Sequence, residues 1–177
     1  MANLILISLV KENQTAFQAK VRQIAASLGV DPNELMIVMY KESRLNHRAV
    51  NASTSATGLI QFMPSTARSL GTTTASLAAM SNVQQLDYVE KYVRAYKGKM
   101  KRLIDLYLAV FYPVAIGKPV TYVIGKKGGS IYAQNAGLDV NRNGEITVQD
   151  VQTWLVTGIP TEALTYEDSK KKAETAS

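Results

Sequence analysis

The sequence contains no cysteine among its 177 residues and only one histidine. A disulfide framework, a cysteine nucleophile and a zinc–thiolate site are therefore excluded. A long apolar run is also missing, because the run near the N-terminus, residues 4–10, is interrupted by Ser8 and is too short to cross a bilayer. No basic residue precedes this run and no small-residue cleavage site follows it, so it makes a poor signal peptide. We expect no membrane insertion.

Charge is unevenly distributed along a chain of otherwise ordinary composition. The apolar fraction is 46% and the charged fraction is 19%, which is typical of a soluble globular domain and excludes intrinsic disorder of the whole chain. Residues 81–137 carry nine Lys or Arg against three Asp or Glu, whereas residues 138–177 carry four against seven. The basic segment suits an anionic polymer, or it is simply the solvated face of a helix. Charge alone is a weak reason for a nucleic-acid partner, and we expect none.

Apolar spacing and capping residues predict a mainly α-helical fold. Asp31 and Pro32 are strong start signals for one helix, and Pro113 ends another. The predicted helices cover residues 15–28, 32–43, 64–70, 81–96 and 103–111. A short strand is expected near residues 120–124. Residues 161–177 are polar and lack apolar periodicity, so we expect a mobile tail there.

Glu42 stands out within the second predicted helix. It falls seven residues after Leu35, on the stripe that also carries Val38 and Met39, and that stripe is expected to face the core. Burial disfavours the charged form of a carboxylate and raises its pKa, and a carboxyl group still protonated near neutral pH suits a general acid. The alternative is a glutamate at a helix end that turns to solvent or pairs with Arg44 or Arg48.

The residues that follow carry a resemblance. From Tyr40 the chain reads YKESRLNHRAVNASTSATGLIQFMPSTARSLG. This stretch resembles the lysozyme-like lytic transglycosylases of the soluble type: Glu42-Ser43 matches their Glu-Ser motif, residues 58–61 match Gly-Leu-Met-Gln with Ile for Met, and residues 64–67 match Pro-Ser-Thr-Ala. The resemblance is specific over residues 15–75 and looser to about residue 112. It implies a lysozyme-like helical fold.

Site residues follow from the resemblance by position. Glu42 is implied as the catalytic acid. Ser43 is expected to contact the substrate, to orient the acid or simply to end the helix. Gly58 is expected to permit a close backbone approach or a positive φ. Gln61 is expected to bind a sugar N-acetyl group or the loop backbone.

The family's third motif, Ala-Tyr-Asn, departs in this chain, which reads Leu-Ala-Val-Phe-Tyr-Pro over residues 108–113. We place the aromatic residue of this motif at Tyr112, since the family's tyrosine hydroxyl is thought to bond near the acid. Phe111 takes the place if the alignment shifts by one residue, and Tyr107 is a further candidate one helical turn earlier. The missing asparagine affects the details of substrate contact rather than the reaction class.

The implied reaction is cleavage of the MurNAc-β-1,4-GlcNAc bond of bacterial peptidoglycan with formation of 1,6-anhydromuramoyl products. Glycoside hydrolysis normally needs two carboxylates, and no Asp or Glu lies between Glu42 and Asp87. A lytic transglycosylase needs one carboxylate and no cofactor for catalysis. Asp87 or Asp105 leaves open the alternative of a lysozyme-type hydrolase. A non-catalytic wall-binding virion protein is the other alternative.

Residues 139–150 have the spacing of a calcium loop. Positions 1, 3 and 5 of the loop offer side-chain oxygens, from Asp139, Asn141 and Asn143. Gly144 allows the turn at position 6, and the backbone carbonyl of Glu145 follows at position 7. Asp150 occupies position 12. With aspartate at position 12 the loop resembles those of dockerins. We expect a structural Ca²⁺ of modest affinity that clips the C-terminal segment in place. A metal-free turn that caps a helix is the alternative.

Three segments are therefore expected: a transglycosylase domain over residues 1–137, an EF-hand-like unit over 138–160 and a polar tail over 161–177. The protein is expected to act on the bacterial cell wall, in the periplasm or outside the cell. A wall-degrading domain without a signal peptide suggests a bacteriophage product, made in the host cytoplasm for lysis or carried in the virion. A bacterial enzyme exported by another route is the alternative. A monomer is the default expectation.

Overall fold

The structure is a computed structural model that describes all 177 residues. It is mainly helical, as the apolar spacing predicts. In chain order the helices are α1 (Gln14–Leu28), α2 (Pro32–Ser43), α3 (Pro64–Ser69), α4 (Thr74–Ala79), α5 (Asn82–Val93), α6 (Leu103–Phe111), α7 (Ser130–Asn135), α8 (Val148–Val156) and α9 (Thr161–Ala176). Two short strands, β1 (Val123–Lys126) and β2 (Glu145–Thr147), flank α7 in the chain. None of the helices combines the length and apolar character that crossing a membrane requires.

Helix α2 is the central element of the fold. Asp31 caps its first turn by accepting a hydrogen bond from the Asn33 amide at 2.8 Å, and Pro32 occupies the first helical turn, so both start signals are confirmed. Residues 35–39 are completely buried, and the helix packs against α1 and α6. A helix that is apolar on nearly every side is expected at the centre of a helical domain.

The end of α2 is strained. Arg44 and Leu45 both adopt left-handed backbone angles, with φ of 56° and 62°, a region that residues with side chains seldom enter. Their amides bond back to the carbonyl oxygens of Tyr40 and Met39 at 2.8 and 3.4 Å, which closes the helix. The chain therefore reverses sharply directly after Glu42, and surrounding contacts are needed to hold this conformation.

One hydrophobic core joins the three segments that the sequence suggests. It comprises 38 buried residues, drawn from α1, α2, α5 and α6 and from the C-terminal part of the chain. The C-terminal contribution includes Ile146, Val148, Val151, Leu155 and Ala163. Residues 138–160 and 161–177 therefore pack on the same core as residues 1–137.

Strand β1 pairs antiparallel with β2, which belongs to the predicted calcium loop. Val123 lies opposite Thr147 and Lys126 lies opposite Glu145, with an irregularity in register between Val123 and Gly125. The strand expected near residues 120–124 thus begins later, and its partner is about twenty residues away rather than in a local hairpin. Such pairing depends on tertiary structure and leaves little signal in local sequence.

The expectation of a mobile tail over residues 161–177 is corrected by helix α9, which covers nearly all of it. Tyr166 donates a hydrogen bond to Asp31 at 2.6 Å, and the Lys170 ammonium lies 3.2 Å from Asp31 and also bonds to Glu34. Ala163, which belongs to this helix, is fully buried. The helix is held by polar contacts to the start of α2, which explains why it lacks the apolar periodicity of the other helices.

Candidate active site

Glu42 lies in the last turn of α2 and is half-buried. Burial disfavours the ionised carboxylate and raises the pKa of Glu42 to about 7, although a hydrogen bond from Tyr107 and the positive charge of Lys41 oppose the rise. The carboxyl group therefore holds its proton up to neutral pH, as the position of Glu42 on the apolar stripe suggests.

The alternative, in which Glu42 pairs with a nearby arginine, does not occur. The Arg44 guanidinium lies 4.6 Å from the ring centroid of Tyr40, and Arg48 lies 3.5 Å from the carboxylate of Glu12. No ion pair reaches Glu42, so nothing of that kind stabilises its charged form.

Tyr107 on α6 is the aromatic residue that reaches the Glu42 carboxyl group. It is 4% exposed, and its hydroxyl is close enough to the Glu42 carboxyl group to lower the pKa of Glu42. Burial, with the nearby charge of Glu42, raises the pKa of Tyr107 well above its usual value, so the hydroxyl remains a donor. The preferred candidate, Tyr112, lies beyond the end of α6 and is not among the groups that shift the pKa of Glu42. Its backbone angles are no longer helical, so it does not continue the face of α6 that carries Tyr107.

Ser43 connects the end of α2 to the loop that follows. It is 7% exposed, and its hydroxyl lies 3.0 Å from the carbonyl oxygens of both Met39 and Leu59. A serine hydroxyl has a single proton to donate, and here two backbone acceptors share it. Of the roles predicted for Ser43, the geometry favours ending the helix over contact with substrate.

A buried glutamine that no recognised motif contains fixes the loop of Gly58. Gln85 on α5 is 0% exposed. Its Oε1 accepts a hydrogen bond from the Leu59 amide at 2.6 Å, and its Nε2 donates to the carbonyl oxygens of His47 and Leu77, both at 2.8 Å. Both ends of the amide therefore bind backbone, which attaches the loop firmly to α5.

Gly58 and Gln61 shape this loop in complementary ways. Gly58 has a φ of +91°, and a Cβ atom there would lie 2.4 Å from Oε1 of Gln85, so both expectations for this glycine are met. Gln61 donates from Nε2 to the carbonyl oxygens of Ala49 and Gly58, each at 3.1 Å. Of the two roles predicted for Gln61, the structure shows the hydrogen bonds to the loop backbone.

Tyr92 on α5 is a second aromatic residue near the acid, and the motifs do not point to it. Burial raises its pKa, and the neighbouring charges of Tyr96 and Glu42 raise it further. Its ring packs edge-on against Phe62, with 6.4 Å between the centroids. Tyr92 lines a small groove with residues of the loop, of α3 and of α6, namely Ile60, Gln61, Phe62, Met63, Thr66 and Val110.

Residues 139–150 form a closed turn of the kind that the calcium pattern predicts. Asp139 accepts hydrogen bonds from the amides of Asn143 at 3.2 Å and Gly144 at 2.9 Å, and from the hydroxyl of Tyr132 at 2.7 Å. These bonds hold the pKa of Asp139 below its usual value, with the Tyr132 hydrogen bond as the largest cause. The first carboxylate of the loop is therefore ionised and turned into the concave side of the turn.

The other end of the loop begins helix α8. Thr147 caps the helix, and Asp150 accepts the Thr147 amide at 2.9 Å through Oδ2, which leaves Oδ1 for another partner. The Glu145 carboxylate pairs with Lys126 at 2.9 Å, so only its backbone carbonyl is left for a ligand. No three His, Cys, Asp or Glu side chains cluster in the structure in a way suited to a metal ion, so an ion here depends partly on neutral oxygens.

A protein-family model described as Transglycosylase SLT domain matches residues 20–153, well over half of the chain. The chain belongs to the transglycosylase SLT family. It is a lytic transglycosylase that acts on peptidoglycan, and its helical architecture is consistent with the lysozyme-like fold of the family. The matched residues of this transglycosylase include Glu42, the Gly58 loop and Tyr107. No curated protein and no solved structure matches the chain.

The close approach of Gln85 predicts that Gly58→Ala destabilises the transglycosylase by about 1–3 kcal/mol beyond its backbone strain, because the added methyl group displaces the buried amide. Gly71→Ala is the matched control, since Gly71 also has a positive φ, +80°, but no atom lies within 4 Å of a Cβ placed there. The free energy of unfolding in urea measures both variants. Equal losses would show that the Gln85 contact does not require glycine.

Proposed function

We propose that Glu42 is the single acid–base residue of this transglycosylase, and that the enzyme cleaves the MurNAc-β-1,4-GlcNAc bond to give 1,6-anhydromuramoyl products. The observation that carries the proposal is a half-buried carboxyl group with a pKa of about 7 beside a buried tyrosine hydroxyl. A group with a pKa close to the working pH is suited both to give and to take a proton.

The proposed reaction uses the same carboxyl group twice. Protonated Glu42 gives its proton to the bridging oxygen as the bond from that oxygen to C1 of MurNAc breaks, so the GlcNAc side leaves as an alcohol. The carboxylate that results then takes the proton of the C6 hydroxyl as the C6 oxygen attacks C1. Glu42 is protonated again at the end, and no water is consumed. Tyr107 donates to the carboxylate while it is ionised and so supports the intermediate stage.

The two other carboxylates considered from the sequence are committed to partners of their own, which supports a one-carboxylate reaction. Asp87 lies 2.7 Å from the Lys20 ammonium on the opposite helix. Asp105 lies 3.0 Å from Arg102 and also accepts a hydrogen bond from the Gly117 amide. Burial opposes ionisation of Asp105, but these bonds prevail and lower its pKa. Neither group contributes to the pKa of Glu42.

We assign substrate contact to the groove between the loop and α5. Tyr92, which is half-buried, supplies aromatic surface against which a sugar ring can stack, and the side-chain carbonyl of Gln61 accepts no hydrogen bond within the protein. An N-acetyl amide is a donor of matching chemistry for that carbonyl. Ser43 and Gly58 act indirectly, by holding the loop at the correct distance from Glu42. Tyr112 does not line this groove, so we assign it no contact with substrate.

Product analysis tests the reaction and its residue together. Wild-type protein incubated with peptidoglycan in H₂¹⁸O is expected to release anhydromuramoyl fragments without ¹⁸O, as read by mass spectrometry. Glu42→Gln keeps the size of the side chain but removes the transferable proton, so the rate should fall by at least about 10²–10⁴-fold.

The control for this substitution is Glu174→Gln, which changes an exposed glutamate on α9 and should keep full activity. Reducing-end products that carry ¹⁸O would replace the transglycosylase reaction with hydrolysis. Activity of Glu42→Gln within threefold of the wild type would show that another group is the acid.

The raised pKa of Glu42 sets the pH dependence. The protonated, competent form predominates below about pH 7 and is lost above it, so kcat/KM should fall about tenfold per pH unit on the alkaline side. A profile of kcat/KM between pH 5 and 9, measured on soluble glycan chains, provides the check. A rate that stays level up to pH 9 would contradict the assignment of Glu42 as general acid.

We also propose that residues 139–150 bind one Ca²⁺ through Asp139, Asn141, Asn143, the Glu145 carbonyl and Asp150. The closed turn with oxygens at these positions, and the free Oδ1 of Asp150, support the proposal. With only two charged side chains the affinity should be low, about 10⁻⁵–10⁻³ M as in extracellular modules. The ion would stabilise the start of α8 and has no part in bond cleavage.

Calorimetry tests the calcium proposal. Millimolar Ca²⁺ should raise the melting temperature by mass action, and Mg²⁺ should do so less, because it requires a smaller octahedral site. Asp139→Ala should abolish the shift, whereas Asp168→Ala, at an exposed carboxylate of α9, should retain it. Absence of both binding heat and thermal shift in the wild type would identify the loop as a metal-free cap of α8.

A further inference from the structure

Trp154 lies on α8, just outside the segment that matches the family model. Its ring centroid is 5.5 Å from that of Tyr107, with 46° between the ring planes. Phe111 also packs on Tyr107, with 5.9 Å between centroids and 27° between the ring planes. The tyrosine that acts on Glu42 is therefore in contact with two aromatic side chains, which restricts its rotation.

The same tryptophan contacts the residue that precedes the acid. The Lys41 ammonium lies 3.9 Å from the ring centroid of Trp154, a cation–π contact. It also donates hydrogen bonds to the carbonyl oxygens of Trp154 at 3.0 Å and Thr157 at 2.9 Å. These oxygens lie at the C-terminal end of α8, where the helix dipole attracts cations. The last turn of α2 is thereby joined to the last turn of α8.

Trp154 thus contacts the two residues with the most direct influence on the acid, its sequence neighbour Lys41 and Tyr107. From this geometry we infer that Trp154 is a positioning residue, which fixes both of these neighbours of Glu42. The inference deepens the proposed function and rests on the assignment of Glu42 as the acid. It also gives α8 a part in catalysis, whereas the sequence suggests only a structural clip.

A structural role alone would not predict the direction of the changes in Glu42 titration. The titratable groups that face Glu42 are Tyr107 from α6, Lys41 from α2 and Tyr92 from α5, while Arg44 acts on Lys41. Loss of the Trp154 ring frees Tyr107 and Lys41, both of which lower the pKa of Glu42, and should therefore raise that pKa. Loss of the Lys41 charge removes an influence that lowers the pKa, and should raise it.

The experiment measures two quantities in the full chain: steady-state kinetics on glycan chains, and titration of the ¹³C-labelled Glu42 carboxyl group by NMR. Trp154→Ala should lower kcat about tenfold with less than a threefold change in KM, because positioning affects the reacting group more than binding. The titration midpoint of Glu42 and the alkaline limb of the pH profile should both move above those of the wild type. Lys41→Met should move both in the same direction and by less, because the ring of Trp154 still packs on Tyr107.

Trp154→Phe retains a smaller aromatic ring in a half-buried position and should recover most of kcat and of the titration midpoint. Trp154→Phe also replaces the alanine variant in both measurements if that variant unfolds below the assay temperature. Thr153→Ala, at the exposed neighbouring position on α8, is the matched control and should leave both readouts unchanged.

The inference is overturned if Trp154→Ala keeps or lowers the wild-type titration midpoint of Glu42, or if Trp154→Phe restores neither kcat nor that midpoint. Failure of the proposed function is distinguishable from this. In that case the wild type releases no anhydro products, while the NMR titration, which needs no turnover, still decides whether Trp154 controls the environment of Glu42.

Discussion

Partial removal of the Glu42 carboxyl group from water is the constraint on which the rest of the site depends. A carboxyl group that keeps its proton to a pH of about 7, rather than to its ordinary value near 4.5, disfavours the folded state at alkaline pH by about 3.5 kcal/mol at most, since each pKa unit corresponds to about 1.4 kcal/mol. Partial solvent access reduces this figure. The fold bears this cost through a core of 38 buried residues, and the acid gains a proton that is available at neutral pH.

The second requirement is a rigid loop opposite the acid. The backbone after Glu42 turns through two left-handed residues, Arg44 and Leu45, a conformation that persists only where contacts oppose relaxation. Ser43 and Gln85 provide these contacts, and both bind the backbone of Leu59, one at its carbonyl and the other at its amide. A single residue of the loop is thus attached to α2 and to α5, which explains why a glycine without a side chain has to precede it.

Local sequence predicted the parts of the molecule that depend on local physics. Capping residues located the starts of α2 and α5, and helical spacing selected Glu42. Gln85 shows the same pattern, a polar residue on an apolar stripe, because it lies four residues before Val89 on the buried stripe of α5. Such a residue is expected to have a specific partner, as Glu42 does on α2. The choice between Tyr107 and Tyr112 depends on how α6 is rotated against α2, and the docking of α9 depends on partners more than 130 residues away. Neither leaves a local pattern.

The C-terminal part of the chain contacts α2 at both ends. The polar residues of this C-terminal part thereby help to fix the helix that carries Glu42. At the start of α2, Asp31 and Glu34 lie where a helix dipole favours carboxylates, and Lys170 of α9 pairs with both. At the other end, Lys41 binds the carbonyl oxygens that end α8. Opposite charges therefore fix the two ends of one helix to two different C-terminal helices. Because Glu42 follows Lys41 directly, the position of the acid depends on polar contacts made by residues far from every motif that identifies the family.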